Sequence, residues 1–134
     1  AEVIARKNMQ TMHKVFQSTG TIWELYSPDM YMPATDATGI HMVKPNFVGW
    51  SGLIPISMFI ENIIGIRTDG SANRINWRSN SPKRHGIQNL RFGNITTTLI
   101  REGDTLDIQS NAPYTLEING IEHDIKEGNN QIQL

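Results

Sequence analysis

The sequence predicts an α+β fold in which two helices, within residues 1–66, precede a small antiparallel β-sandwich, within residues 67–134. Three observations predict it. Apolar residues recur three or four positions apart near the start, a second run from 53 to 64 is mostly apolar, and short strand-like runs alternate with turns after residue 66. Helices and strands have these different periods, so the change marks a boundary near residues 66 and 67.

The first predicted helix runs from residue 2 to residue 16. Its apolar residues lie on one face and its polar residues on the others, as an amphipathic helix requires. Gly20 is the natural end of this helix, because glycine readily adopts the left-handed conformation that closes a helix. The apolar positions are Ala5, Met9, Met12 and Phe16.

The second predicted helix starts near Ser51, which can cap it, and ends at about Ile64. Pro55 is compatible with a helix only within the first turn. Apolar residues cover more than one face, which is typical of a helix packed between neighbours. Two helices cannot provide that burial alone. We therefore expect residues 1–66 to come from a larger helical assembly or to pack against residues 67–134.

Beyond residue 66 the strands are predicted at 75–78, 95–101, 105–109, 114–118, 121–125 and 131–134. Asn119-Gly120, between two strand-like runs, is a strong signal for a two-residue hairpin. Glycine-containing connections at 102–104 and 127–129 are also predicted turns.

Composition excludes several classes of function. The chain is 38% hydrophobic and 19% charged, which is typical of a globular protein and not of a disordered one. The net charge is −1, and the densest basic stretch, residues 83–85, is too short to follow a phosphate backbone, so no nucleic-acid partner is predicted. No apolar run reaches the roughly 20 residues of a membrane span. There are no cysteines, and the four histidines do not pair at helical spacing, so no metal or cofactor site is predicted.

The residues most suited to chemistry lie in the irregular segment 21–28. Glu24 is bracketed there by two aromatic residues, Trp23 and Tyr26. Glycoside hydrolysis needs carboxyl groups at the scissile bond, and aromatic faces stack against sugar rings. The alternative is that Glu24 is a solvated loop carboxylate and Trp23 an anchor at a domain interface.

A pair of motifs resembles a known family. Trp23-Glu24-Leu25-Tyr26 is followed about twenty residues later by Phe47-Val48-Gly49-Trp50-Ser51-Gly52 and an apolar helix. This pair is similar to the C-terminal motifs of bacterial six-hairpin, α/α-toroid glycoside hydrolases related to trehalase and processing α-glucosidase I. The resemblance implies that residues 1–66 are the last toroid helices and the catalytic loop, and that 67–134 form a β-sandwich-like C-terminal domain.

The resemblance also assigns roles to residues. Glu24 takes the place of the general base that activates water in an inverting hydrolysis, and Tyr26 and Trp50 match residues that shape the sugar pocket. Trp23, His41 and Phe47, in or beside the same motifs, are the other predicted substrate contacts. The glycine-rich stretch found in trehalase is absent, so trehalose is not implied as the substrate.

The second carboxylate is an aspartate that lies far upstream in the family. This chain lacks that region, so the resemblance implies a fragment of a glycosidase that is inactive by itself and whose partners are the rest of the toroid and a carbohydrate. The parent is expected to be periplasmic or secreted, and no cofactor is implied. Asp29, Asp36 and Asp69 are the local acidic alternatives, although turn residues beside proline or glycine are more often solvated caps.

Two other functions stay open. A carbohydrate-binding module would need a row of exposed aromatic residues on its strands, and Trp77, Phe92 and Tyr114 are the available ones. A structural accessory domain that closes the toroid is compatible with the hydrolase, because nothing in residues 67–134 assembles a site.

An apolar helix without its neighbours exposes a patch that favours self-association. We therefore predict that the isolated chain is a dimer or a higher oligomer, to be measured by light scattering. A monomer at all concentrations would contradict the idea that residues 1–66 lack packing neighbours.

Overall fold

The computed structural model describes residues 2–35, 48–49 and 52–134. The chain forms two compact units, Ala1–Ile63 and Ile64–Leu134. The described helices start in the first unit and the described strands all lie in the second. This mixed content agrees with the predicted α+β class.

Helix α1 spans Glu2–Thr19, three residues beyond the predicted run, and ends just before Gly20, the predicted stop. Gly20 has φ 75°, in the left-handed region, and its N–H donates to the carbonyl oxygen of Phe16 at 2.7 Å. Val15 and Ala5 are the buried residues of the helix. Phe16, which the sequence places on the apolar stripe, is 47% exposed, so the buried face is rotated from the predicted one.

Helix α2 spans Leu53–Met58 and continues as a π-helical segment, Phe59–Ile64. Pro55 lies in its first turn and is buried, as predicted. The predicted cap, Ser51, lies outside the described residues. Of the apolar side chains expected to pack between neighbours, Ile56 and Phe59 are exposed and Ile64 is buried. Three others are partly exposed, namely Met58, Ile60 and Ile63. Membership of a toroid stays a prediction for both helices.

The second unit contains two four-stranded sheets, ordered β1-β2-β6-β7 and β3-β4-β5-β8. Every neighbouring pair is antiparallel except β2 and β6, which are parallel, so the purely antiparallel prediction is wrong there. The chain leaves the first sheet after β2, builds three strands of the second sheet and returns as β6, and such a crossover permits parallel pairing. The strands are β1 Ile66–Asp69, β2 Arg74–Trp77, β3 His85–Phe92, β4 Ile95–Glu102, β5 Thr105–Ser110, β6 Tyr114–Ile118, β7 Ile121–Ile125 and β8 Gly128–Gln133.

The core of this unit comes from the inward faces of both sheets. Along β4, β5 and β6 burial alternates residue by residue, as a half-buried strand requires. Two edge-to-face ring contacts join the sheets, Trp77 with His85 at 5.6 Å between centroids and Phe92 with Tyr114 at 5.5 Å. The two sheets therefore form a β-sandwich. Residues buried to less than 2% exposure are Ile66, Ile75, Trp77, Thr97, Leu99, Leu106, Leu116 and Ile118.

Strands β1 and β3 were not predicted from the sequence. Strand β1 has four residues, of which one is buried, so it carries too short a pattern. Strand β3 has a register shift between Ile87 and Leu90, and Asn89 adopts φ 54° inside it. A bulge of this kind interrupts the alternation by which a strand is detected.

The predicted hairpin at Asn119-Gly120 is confirmed. Ile118 pairs with Ile121, and both intervening residues have positive φ, 51° and 87°, as a two-residue turn of type I′ requires. The side chain of Asn119 also accepts a hydrogen bond from the N–H of Ser79 at 2.9 Å and donates one to its carbonyl oxygen at 3.1 Å. The turn thereby fixes the segment that follows β2.

The burial of Tyr114 predicts that the folded protein loses stability at high pH. Burial raises the pKa of Tyr114 to about 12, partly offset by its hydrogen bond with the hydroxyl of Thr97 at 3.1 Å. In the unfolded chain a tyrosine loses its proton near pH ~10. The unfolded state is therefore favoured progressively as the pH rises from about 10 to about 12. Tyr114→Phe should flatten this decline, measured by urea unfolding followed through isoleucine methyl NMR.

Tyr31→Phe is the control, because Tyr31 is exposed and lies outside the sandwich. An equal decline in Tyr114→Phe and in the unsubstituted chain would show that another group is responsible.

Candidate functional site

A cavity of about 750 Å³ lies in the first unit, among α1, the segment that follows it and α2. Helix α1 contributes mainly hydrogen-bonding side chains, α2 contributes two apolar side chains, and the segment contributes both kinds. Such a mixture, at this volume, is typical of a small-molecule site. The lining residues are Lys7, Asn8, Gln10, Thr11, Met12, Glu24, Tyr26, Ser27, Pro28, Asp29, Met30, Tyr31, Ile54 and Met58.

Glu24 lines this cavity and is half-buried. It lies on an irregular segment whose chain folds back on itself, with hydrogen bonds from the N–H of Ser27 to the carbonyl of Met32 at 3.0 Å and from Ala34 to Leu25 at 3.1 Å. These two bonds fix the backbone on the C-terminal side of Glu24. A carboxylate held at a cavity wall is available to a water or a ligand in that cavity.

Tyr26 lines the same cavity, and its hydroxyl has a structural role as well. It accepts a hydrogen bond from the backbone N–H of Trp23 at 3.0 Å, which closes a short loop around Glu24. This bond uses a lone pair of the hydroxyl oxygen, so the hydroxyl hydrogen can still be donated to a ligand. The structure therefore brings Glu24 and Tyr26 together at one site.

Trp23 is only 4% exposed and is not among the residues that line the cavity. Its indole N–H donates to the hydroxyl of Thr19 at 2.9 Å, so the ring is held against the end of α1. In this conformation Trp23 supports the segment from inside. Stacking of a sugar on Trp23 stays a prediction that its burial does not favour.

His41, Phe47 and Trp50, the other predicted substrate contacts, lie outside the described residues, as does Asp36. Their roles stay predictions that follow from the resemblance.

The two remaining acidic alternatives have different surroundings. Asp29 is exposed and lines the cavity that contains Glu24. Asp69 lies in the sandwich unit, where its carboxylate accepts hydrogen bonds from the hydroxyl and N–H of Ser71 and the N–H of Ala72. These bonds lower the pKa of Asp69 and make it the cap of a turn. Asp29 is thus the local alternative that shares a cavity with Glu24.

Sequence reasoning missed the contribution of α1 to this cavity. Lys7, Asn8 and Thr11 belong to one polar face of the helix, because positions three and four apart are neighbours. The spacing predicted that polar residues lie away from the apolar stripe, but nothing in the sequence indicated that some of them border a cavity and not bulk solvent. Met30 and Tyr31, on the far side of the segment, were likewise not predicted as lining residues.

Tyr31 holds the distal part of the segment to α1. The ammonium group of Lys14 lies 3.8 Å from the centroid of its ring, a cation–π contact. Such a contact contributes about 0.5–1 kcal/mol at an exposed site. Together with Trp23, this contact gives the segment two attachments to the same helix.

No group of three His, Asp or Glu side chains in the described ranges lies close enough to hold a metal ion. Over the same residues, no helix is long and apolar enough to cross a membrane.

The aromatic residues of the sandwich are buried. Trp77 is 1% exposed, Phe92 6% and Tyr114 5%, and all three belong to the core. A row of exposed aromatic side chains, which the carbohydrate-binding module requires, is absent from residues 64–134, all of which the structure describes. The sandwich therefore lacks the row of exposed aromatic side chains that the carbohydrate-binding alternative requires.

Comparison with known proteins leaves the family open. No protein family matches the sequence, and no curated protein matches it either. Among solved structures, the chain is similar to one assigned as a kojibiose phosphorylase from the human microbiome, with 14% identity and a TM-score of 0.44. The match covers 60% of this chain and 12% of that chain. A likeness at this level establishes neither a family nor a function.

Tyr26→Phe should destabilise the first unit by about 0.5–1.5 kcal/mol, because the N–H of Trp23 loses its acceptor. The free energy of unfolding of the variant, from urea titration followed by NMR signals of α1, gives this value. Tyr31→Phe is a matched control, since it keeps the ring that Lys14 contacts and should change stability by less than about 0.5 kcal/mol. Equal effects of the two substitutions would contradict a specific role for the Tyr26 hydroxyl.

Proposed function

We propose that this chain is the C-terminal part of an inverting glycoside hydrolase in which Glu24 is the general base. The observation that carries the proposal is that Glu24 and Tyr26, paired in the sequence motif, line one cavity of about 750 Å³. The motif resemblance supplies the reaction class, and the cavity supplies a place where a sugar ring fits.

The lining of the cavity suits a saccharide. A pyranose presents hydroxyl groups around its rim and C–H surfaces on its faces. Asn8, Gln10 and Thr11 offer hydrogen-bond donors and acceptors to the hydroxyls, while Tyr31 and Met58 offer apolar surface to the faces.

In this mechanism Glu24 accepts a proton from a water molecule, and the water oxygen attacks the anomeric carbon on the side opposite the leaving group. A second carboxyl group protonates the leaving oxygen, so the bond to the aglycone breaks with inversion. The two carboxyl groups of inverting enzymes lie roughly 6.5–9.5 Å apart, which leaves room for the water. We propose that this acid comes from the rest of the toroid, with Asp29 as the local alternative.

The test compares the longer enzyme that contains this chain with its Glu24→Gln variant, on a panel of α-linked gluco- and manno-disaccharides. Removal of a general base costs about 100- to 10,000-fold in turnover, so kcat of Glu24→Gln should fall by that factor while the substrate still binds. Glu127→Gln is the matched control, because it makes the same charge change at an exposed position in the sandwich unit, and it should keep full activity.

Two results would contradict the proposal. Undiminished turnover in Glu24→Gln would return Glu24 to the role of a loop carboxylate. Turnover by the isolated 134-residue chain would contradict an acid supplied by the rest of the toroid, and loss of that turnover in Asp29→Asn would identify Asp29 as the acid.

A further inference from the structure

The segment that carries Glu24 is fixed by a directed series of hydrogen bonds that starts inside α1. The hydroxyl of Thr19 lies 2.8 Å from the carbonyl oxygen of Val15, and the indole N–H of Trp23 lies 2.9 Å from that hydroxyl. A carbonyl only accepts and an indole N–H only donates. Trp23 therefore donates to Thr19, and Thr19 donates to Val15.

The series continues to the residues around Glu24. The backbone N–H of Trp23 donates to the hydroxyl of Tyr26 at 3.0 Å. Trp23 thus makes one bond backward to the helix through its side chain and one bond forward through its backbone. Glu24 is the residue after Trp23 and lies within the loop that the forward bond closes.

The two ends of this series differ in environment. Val15 is 0% exposed and Trp23 4% exposed, so the anchoring end is in the packed interior of the unit. Glu24 and Tyr26 line the cavity, whereas Thr19 does not. Thr19 is therefore not a lining residue, and its hydroxyl reaches the segment through the indole N–H of Trp23 at 2.9 Å and, more weakly, the carbonyl oxygen of Thr21 at 3.3 Å.

We infer that Thr19 is a positioning residue for Glu24, acting through the indole of Trp23; this inference rests on the proposed function. Its hydroxyl sets the depth at which the indole lies against α1, and the indole sets the backbone from which Glu24 projects. A general base acts only when it is within hydrogen-bond reach of the water it activates, and small displacements are costly.

The first experiment uses the 134-residue chain. Thr19→Val keeps the shape of the side chain and removes the acceptor, whereas Thr19→Ser keeps the hydroxyl. Hydrogen exchange of the Trp23 indole N–H, followed by NMR, should be about tenfold faster in Thr19→Val than in the unsubstituted chain. Thr19→Ser should restore slow exchange. Unchanged exchange in Thr19→Val would overturn the inference at its first step.

The second experiment measures kinetics in the longer enzyme, with Glu24→Gln as the reference. Thr19→Val should lower kcat by about 10- to 100-fold with KM nearly unchanged, and Thr19→Ser should restore kcat. A general loss of folded protein would lower the active fraction without rescue by serine. If Thr19→Val does not fold, Trp23→Phe removes the same donor, keeps an aromatic ring in place and is expected to lower kcat equally.

The outcomes separate the two claims. Full activity of both Thr19→Val and Trp23→Phe, with Glu24→Gln inactive, would overturn the positioning role and leave the proposed function standing. Full activity of Glu24→Gln would overturn the proposed function, and the positioning role with it.

Discussion

The burial of one indole, that of Trp23, fixes the start of the segment that follows α1. Over residues 21–35 this segment has little regular structure, and its backbone forms an isolated bridge between Tyr26 and Pro33. A buried indole must satisfy its N–H, and the end of α1 provides the acceptor through Thr19. Because the ring is fixed at that point, the backbone of the next residues, including Glu24, has few conformations left. The cavity wall is thus a consequence of a packing requirement.

The buried polar groups of the sandwich also have hydrogen-bond partners within the protein. Ser79 is 3% exposed, and its hydroxyl lies 2.8 Å from Nε2 of His85 and 3.0 Å from the guanidinium of Arg101. The backbone of Ser79 is bonded to the side chain of Asn119. Among the described residues, no buried side-chain polar atom lacks a hydrogen-bond partner. These hydrogen bonds therefore fix the connection between β2 and β3, which contains Ser79.

The sequence predicts local structure here better than it predicts partners. The presence of α1, the stop at Gly20 and the Asn119-Gly120 hairpin follow from local signals, and the structure contains all three. The face that α1 buries depends on packing, and it includes Val15 and leaves Phe16 exposed. The parallel pairing of β2 with β6 is not local, because a strand's periodicity shows which face is buried and not which strand lies beside it. The candidate site shows the same contrast between local sequence signals and tertiary packing. Glu24 and Tyr26 were predicted from a motif, whereas the burial of Trp23 and the polar face of α1 at the cavity depend on tertiary packing.

The Asn119-Gly120 turn has a further consequence for the lifetime of the molecule. Asparagine followed by glycine is the pair most prone to lose its amide, because glycine leaves the next backbone nitrogen free to attack, and asparagine is among the thermolabile residues. Opening of the cyclic imide gives aspartate or isoaspartate, and either product replaces the amide donor to the Ser79 carbonyl with a carboxylate, while isoaspartate also lengthens the backbone of the turn. The turn that closes the β6–β7 hairpin is therefore a position where loss of a single amide group would weaken the sandwich.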